Sequence, residues 1–375
     1  MSSNREGRRS QEGAVPSPSS LERQLRHSED VPTFMGVVGP ANTILKKDLL
    51  SWDFDIFEYN EKTSSAFKDV CFSIVKLFEV DKTFKVDEQT VLNWLDLVER
   101  TYKPEVPYHN SIHAADVLQA MACFLSNKRL KRFLSNNDRA SLVIASIVHD
   151  IHHPGFVSAA LKNLKHRLCV KNVEPFLESH HIQTAFKVTL GNEHCNIFKN
   201  LDPETFSMFE KDISDLILAT DMEKHGDYYN DFRAAVVAAT QAGRHMDWKA
   251  FDSLEKKLLM KQIILKNADV AACQRPLHIH ITWTEKICRE FHRQTETEIR
   301  INVEPTYPEY KELCVLPSTQ LMFLEVIRPM IEDWDRLLEL PGLQANFKRS
   351  LKFWQKFKTT EKCSFEEVKE ASKNE

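Results

Sequence analysis

Two histidine-rich segments carry residue types that can bind metal and move protons. The first reads YHNSIHAAD over residues 108–116. His109 and His113 are four apart, so a helix would put both imidazoles on one face, with Asp116 nearly one turn further along it. The second reads ASIVHDIHHPG over 145–155. Ile147 and Val148 lead straight into His149 and Asp150, then His152 and His153, before Pro154 and Gly155 end the run. An apolar run does not ordinarily finish in adjacent imidazole and carboxylate groups. Burying them is strongly unfavourable unless they are paired or bound to metal.

Two further segments add candidates. FLESHH (176–181) supplies Glu178, His180 and His181, and LLMKQIILKNADVAAC (258–273) carries Asp269 in a largely apolar run. Imidazole suits zinc, while carboxylate and water suit magnesium or manganese. A site with two His, two Asp and open positions can hold two cations about 3.5–4 Å apart through a shared carboxylate. Such a centre binds a phosphoryl group and lowers the pKa of a bridging water, so it needs no Ser or Cys nucleophile. On spacing alone, His109 and His113 could also be an unrelated surface pair, and Asp269 could cap a helix or pair with a lysine.

The elements that must position these residues read as helices. The chain has 375 residues, 42% of them hydrophobic, which is enough for a substantial core; with only 9 Gly, a strand-and-turn fold is disfavoured. In VLNWLDLVERTY, Val91, Leu95, Val98 and Tyr102 recur every three or four positions, as one helix face requires. Similar patterns occupy about 63–79, 111–126, 138–150, 179–190, 205–222, 248–272, 276–297 and 316–339. Asn137 and Asp138 are expected to cap the helix leading to His149, and Asp202 the helix opened by Pro203 and Glu204. Pro305, Pro308 and Pro317 make 303–317 a predicted loop. The expected fold class is all-α, a compact multi-helix bundle.

Residues 1–40, rich in Ser, Arg, Glu and Pro, read as a disordered tail in which Arg8, Arg9 and Ser10 could serve as a kinase target. The folded domain is expected over 41–358, followed by a polar C-terminal tail, 359–375. The net charge of −4, from 50 basic and 54 acidic residues, argues against a nucleic-acid partner. No segment is apolar enough to span a bilayer, and the N-terminus lacks the apolar core of a signal peptide. The 8 cysteines are scattered without a C-x-x-C pair, so reduced thiols in a cytoplasmic protein are expected.

At YHNSIHAADVLQA, HDIHHPG, LESHH, LATDM and KNADV, the chain resembles the class I 3′,5′-cyclic nucleotide phosphodiesterases, from about Trp52 to Phe357. ESHH followed by CNIFKN, and RPL before Trp283, resemble most the eighth class, the high-affinity cAMP-specific enzymes. SWDFDIFE resembles the seventh class as much, and LATDM departs from the eighth. The resemblance implies the HD-type helical catalytic fold. It implies metal-dependent hydrolysis of a cyclic nucleotide, cAMP favoured, with a homodimer as a compatible assembly.

The resemblance also implies roles for individual residues. His113, His149, Asp150 and Asp269 match zinc ligands, with Asp150 bridging to magnesium (or manganese). His109 matches the general acid for the departing 3′ oxygen. His153, Glu178 and His181 match residues that orient metal-bound water. Thr220 and Asp221 match the metal side of the pocket, and Gln320 the purine-binding amide. Phe323 and Ile287 would form the two sides of a clamp, and Tyr108, Met222, Trp283 and Phe291 would complete the wall.

The chain departs from the family pattern at three places. His152 stands where Asp is usual, Ser158 where Asn is usual, and Ala272 and Cys273 replace an Asn and a Pro. The Asn replaced by Ala272 normally contacts the base. Two other readings remain beside hydrolysis of a cyclic nucleotide. One is a cyclic-nucleotide-binding protein with weakened catalysis, and the other a different HD-type nucleotide phosphohydrolase.

Overall fold

The computed structural model describes residues 31–171, 174–241 and 247–374. Helices of eight or more residues are labelled in chain order. They begin with α1 (Ile56–Thr63), α2 (Ala66–Leu77), α3 (Glu88–Thr101), α4 (Ser111–Leu125) and α5 (Asn136–Val148). The middle of the chain forms α6 (Phe176–Leu190), α7 (Pro203–Leu218), α8 (His225–Gln241) and α9 (Leu254–Asp269). It closes with α10 (Leu277–Arg300), α11 (Pro317–Leu338), α12 (Pro341–Lys356) and α13 (Phe365–Ser372). The all-α expectation holds. Among the described residues, the β-structure noted is an isolated antiparallel bridge between Val315 and Cys363.

Three helices that pack on one another carry most of the site: α4, α5 and α9. In α4 the small residues Ala114, Ala115 and Ala120 are wholly buried, which lets neighbouring helices approach closely. The Asn110 side chain starts α4 by accepting from the N–H groups of Ile112 (3.0 Å) and His113 (3.3 Å). Ser135, with Asp138 three residues on, forms a capping box at the start of α5, so the cap lies earlier than the expected Asn137 or Asp138. Asp202 caps α7 as expected, its Oδ1 accepting from Thr205 N at 2.9 Å.

Several helix ends fall short of the sequence pattern, and the missing residues are those of the site. α5 stops at Val148, leaving His149 as its C-cap, and α7 stops at Leu218, leaving Thr220 and Asp221 in a turn. The apolar period continues past both ends because these turns are buried too. Short 3₁₀ segments flank α9, Trp248–Phe251 before it and Ala271–Gln274 after it.

Packing extends beyond both expected bounds of the folded domain, 41 and 358. Residues 1–30 lie outside the described residues, but the chain packs before residue 41. Val38 N donates to Asn93 Oδ1 (3.3 Å), and the Phe34 ring stacks on His194. The segment 359–375 is not simply a polar tail. Phe365 and Val368 on α13 are buried, and Lys369 pairs with Glu285 of α10 at 2.5 Å. Two apolar residues spaced by three suffice to bury one face of a short helix that is otherwise charged.

Candidate metal centre and pocket

His113 lies in the first turn of α4, His149 and Asp150 leave the C-terminal end of α5, and Asp269 ends α9. Their ligand atoms all lie within 4.8 Å of one another. Nε2 of His149 is 3.1 Å from Asp150 Oδ2 and 3.3 Å from Asp269 Oδ1. Nε2 of His113 is 3.2 Å from Asp269 Oδ1 and 3.5 Å from Asp150 Oδ2.

The tautomer of His149 tests whether a cation fits. Its Nδ1 lies 3.0 Å from the Ser146 carbonyl, which can only accept, so Nδ1 carries the proton. Nε2 then points a lone pair at two carboxylates, and it is buried without a hydrogen bond. Lone pairs meeting lone pairs in a buried space call for a positive centre between them. The field of the two carboxylates demands positive charge at this point, as a proton on Nε2 or as a cation in its place. Burial opposes a charged His149, yet Asp150 and Asp269 outweigh it and raise its pKa well above the ordinary value. Burial likewise works to raise Asp150, but His149, His109 and His181 hold its carboxyl well below the usual range.

The turn after α5 aims the remaining groups. His152 takes a positive φ of 62° and Gly155 one of 77°, which a side chain disfavours. A Cβ on Gly155 would also meet Val106 at 3.4 Å. His181, on α6, donates from Nδ1 to Ile151 O (2.8 Å) and turns Nε2 toward Asp150 Oδ1 at 3.7 Å. Glu178, one turn earlier, has a buried Oε2 without a partner, and burial pushes its pKa up to about 7. His153 accepts at Nδ1 from Gly155 N (3.0 Å), so its Nε2 is free to donate.

His109 has a dedicated partner that sequence reasoning missed. Glu290 of α10 places Oε1 2.5 Å from His109 Nδ1, while its Oε2 accepts from the N–H groups of Tyr108 (2.9 Å) and His109 (3.1 Å). Burial works against a charged His109, but Glu290 outweighs it and lifts the pKa to about 9. The signal was legible: Glu290 falls seven residues after Trp283 and three after Ile287, a carboxylate on the inward stripe of its helix.

The residues expected to line a pocket sit as follows. Ile287 and Phe291 on α10 are half-buried, and Gln320 on α11 reaches α10 through a long contact from Nε2 to Cys288 Sγ, 4.0 Å. Phe323 and Met222 keep 39% and 41% of their surface exposed. Thr220 and Asp221 are buried, and the Asp221 side chain accepts from Glu223 N at 2.8 Å. Tyr108 stands against His109 and His113. Trp283, expected to help complete the wall, packs deeply. It is 1% exposed, lies behind Tyr108 and His113, and donates from Nε1 to Asp116 Oδ2 at 3.1 Å. Asp116 points away from the cluster toward Arg275, whose Nη2 is 2.6 Å from its Oδ1.

The departures from the family pattern also have places. Nδ1 of His152 lies 3.0 Å from Nε2 of His180, one donating and the other accepting, and burial pulls their pKa values down to about 3 and about 2. Ser158 opens a short helix, Ser158–Asn163, and Ala272 sits in the 3₁₀ segment after Asp269.

The family model described as 3′5′-cyclic nucleotide phosphodiesterase matches residues 108–349, which include every ligand of the cluster. The chain belongs to this family. Relatives in it include the mouse high affinity cAMP-specific and IBMX-insensitive 3′,5′-cyclic phosphodiesterase 8A, 32% identical over 88% of this chain and 42% of its own. The Drosophila melanogaster phosphodiesterase 8 of the same description is 34% identical over 84% of this chain and 34% of its own. The resemblance to the eighth class is thereby upheld, and the chain spans less than half the length of these curated relatives. Among solved structures, the phosphodiesterase domain of the Salpingoeca rosetta RhoPDE fusion protein superposes with a TM-score of 0.73. It is 24% identical over 83% of this chain and 96% of that one, a likeness that shows the fold.

Proposed function

We propose that this phosphodiesterase-family chain hydrolyses the cyclic 3′ phosphoester of a 3′,5′-cyclic nucleotide, cAMP favoured, to the 5′-monophosphate, acting in the cytoplasm to end a cyclic-nucleotide signal. The observation that carries the reading is the convergence of His113, His149, Asp150 and Asp269 beside a His109 held protonated by Glu290. The relatives described as cAMP-specific support the choice of base.

His113, His149, Asp150 and Asp269 would hold Zn²⁺, with Asp150 shared with Mg²⁺ (or Mn²⁺), following the donor types each cation prefers. When bound, the cations supply Lewis acidity toward the phosphodiester and toward water. His109 stands as the general acid, and its proton goes to the departing 3′ oxygen, since an alkoxide leaves poorly. Glu290 keeps that proton available up to about pH 9 and fixes the ring's direction. His153 can donate from Nε2, and His181 can accept at Nε2, so the two can orient water from opposite roles. Glu178, lifted to about 7 by burial, can hold or release a proton near neutrality. Gln320 offers both a donor and an acceptor to a purine edge, and Phe323 and Ile287 offer apolar faces to the base.

Purified protein supplied with zinc and magnesium and given cAMP and cGMP separately tests the reading. The expected result is 5′-AMP formed faster than 5′-GMP, with both stopped by a chelator. Folded, metal-loaded protein that turns over neither nucleotide would refute it.

A further inference from the structure

Lys266 lies one turn before Asp269 on α9, in a largely apolar stretch, and is 2% exposed. A lysine is almost never so buried unless its ammonium is satisfied. Its Nζ donates to the Ala219 carbonyl at 2.8 Å and to the Asp221 carbonyl at 3.3 Å. It also lies 5.5 Å from the centroid of the Tyr228 ring, a cation over an aromatic face. Ala219 and Asp221 belong to the turn that leaves the C-terminal end of α7, where unpaired carbonyls concentrate negative partial charge.

Among the described residues, 219–222 otherwise hydrogen-bond locally. Ala219 N donates to Leu216 O, Thr220 N to Ile217 O, and Glu223 N to the Asp221 side chain. Among the described residues, Lys266 therefore supplies the hydrogen-bonded tie from this turn to α9. Burial pulls the lysine's pKa down to about 8, against the opposing charges of Asp269, Asp221 and Glu178. One helix thus ends in a metal-ligand candidate and, one turn earlier, grips the turn that carries Thr220 and Asp221.

We infer that Lys266 is a positioning residue of the metal site, clamping the Ala219–Asp221 carbonyls so that Thr220 and Asp221 keep their place beside the cations, a role that rests on the hydrolytic reading above. The clamp works without contact with substrate. Its loss should loosen the turn and weaken the hold on the more water-rich magnesium, while His113, His149, Asp150 and Asp269 keep the zinc.

The experiment compares Lys266→Met with the wild-type chain by hydrogen exchange, zinc content and magnesium dependence. Expected are full zinc occupancy and roughly tenfold faster amide exchange at 219–224, with α4 and α5 unchanged. The magnesium concentration for half-maximal activity should rise roughly tenfold, as for other residues that steady a metal site from outside its ligands, with KM for cAMP little altered. Unchanged exchange at 219–224, or equal acceleration in all helices, would overturn the clamp. Should Lys266→Met fail to fold, Tyr228→Leu, which removes the ring beside the ammonium, takes the same test with a smaller shift in the same direction. Absence of hydrolysis in the wild type would overturn the functional reading, while the exchange data would still decide the clamp.

Discussion

Glu290 and His109 are joined through both the side chain and the backbone: one carboxylate oxygen meets His109 Nδ1 at 2.5 Å, and the other accepts from the His109 and Tyr108 N–H groups. The ring and the segment carrying it are therefore fixed by a single residue from a helix 181 positions away in sequence. This bond decides when His109 can act as an acid.

Glu290→Gln should move the basic limb of the kcat profile. A general acid works while protonated, and His109 in the intact chain stays protonated up to about pH 9. Without the Glu290 charge, burial is much less opposed and the pKa falls, so activity declines from a lower pH. A kcat–pH profile of both proteins checks this, and an unmoved basic limb would count against the pairing. His109→Ala should lose about 10²-fold or more in kcat while keeping its zinc.

Asp269→Ala should abolish zinc retention. The variant removes one carboxylate from a cluster in which His149 Nε2 has no hydrogen-bonding partner. Metal saturation at about 1,000 Kd stabilises a protein by about 4 kcal/mol, so the wild type should lose thermal stability on chelation. The variant's Tm should not respond. Elemental analysis and thermal melts with and without chelator decide it, and zinc bound at full occupancy by the variant would contradict the assignment.

Asp116→Ala should damage the fold rather than the chemistry. Arg275 is wholly buried, and Asp116 accepts from its guanidinium and from the Trp283 indole. Breaking one half of a buried pair costs about 3–5 kcal/mol because the other charge is left behind. Urea unfolding measures that loss, and a variant as stable as the wild type would show the pair to be dispensable.

Ala272→Asn restores the amide that the family pattern places beside the base. One added hydrogen bond is worth about 0.5–1.5 kcal/mol, so KM for cAMP should fall by up to about tenfold with kcat nearly constant. Steady-state kinetics checks it. An unchanged KM would mean that the base does not reach this part of the 3₁₀ segment.

Much of this was legible in the sequence for a physical reason. The helices announce themselves by period, and the ligands by standing where an apolar run should continue, as His149 and Asp150 do after Val148. The ends of α5 and α7 were overextended because buried turns keep an apolar pattern after the helix has stopped. Glu290, Arg275 and Lys266 were harder. Each is a charge whose partner is far away in sequence, so its meaning depends on which helices touch. Trp283 is hard to place for a similar reason: an aromatic residue facing inward can line a pocket or pack beneath one, and its neighbours Tyr108, His113 and Asp116 lie far away in sequence.

An anomalous difference map at the zinc absorption edge, from crystals of the metal-loaded protein, tests the shared cation site most directly. The expected result is a peak bounded by His113, His149, Asp150 and Asp269, with a second cation about 3.5–4 Å away on the Asp150 side. Catalytically active crystals with no peak among these four residues, or with the zinc bound elsewhere, would contradict it.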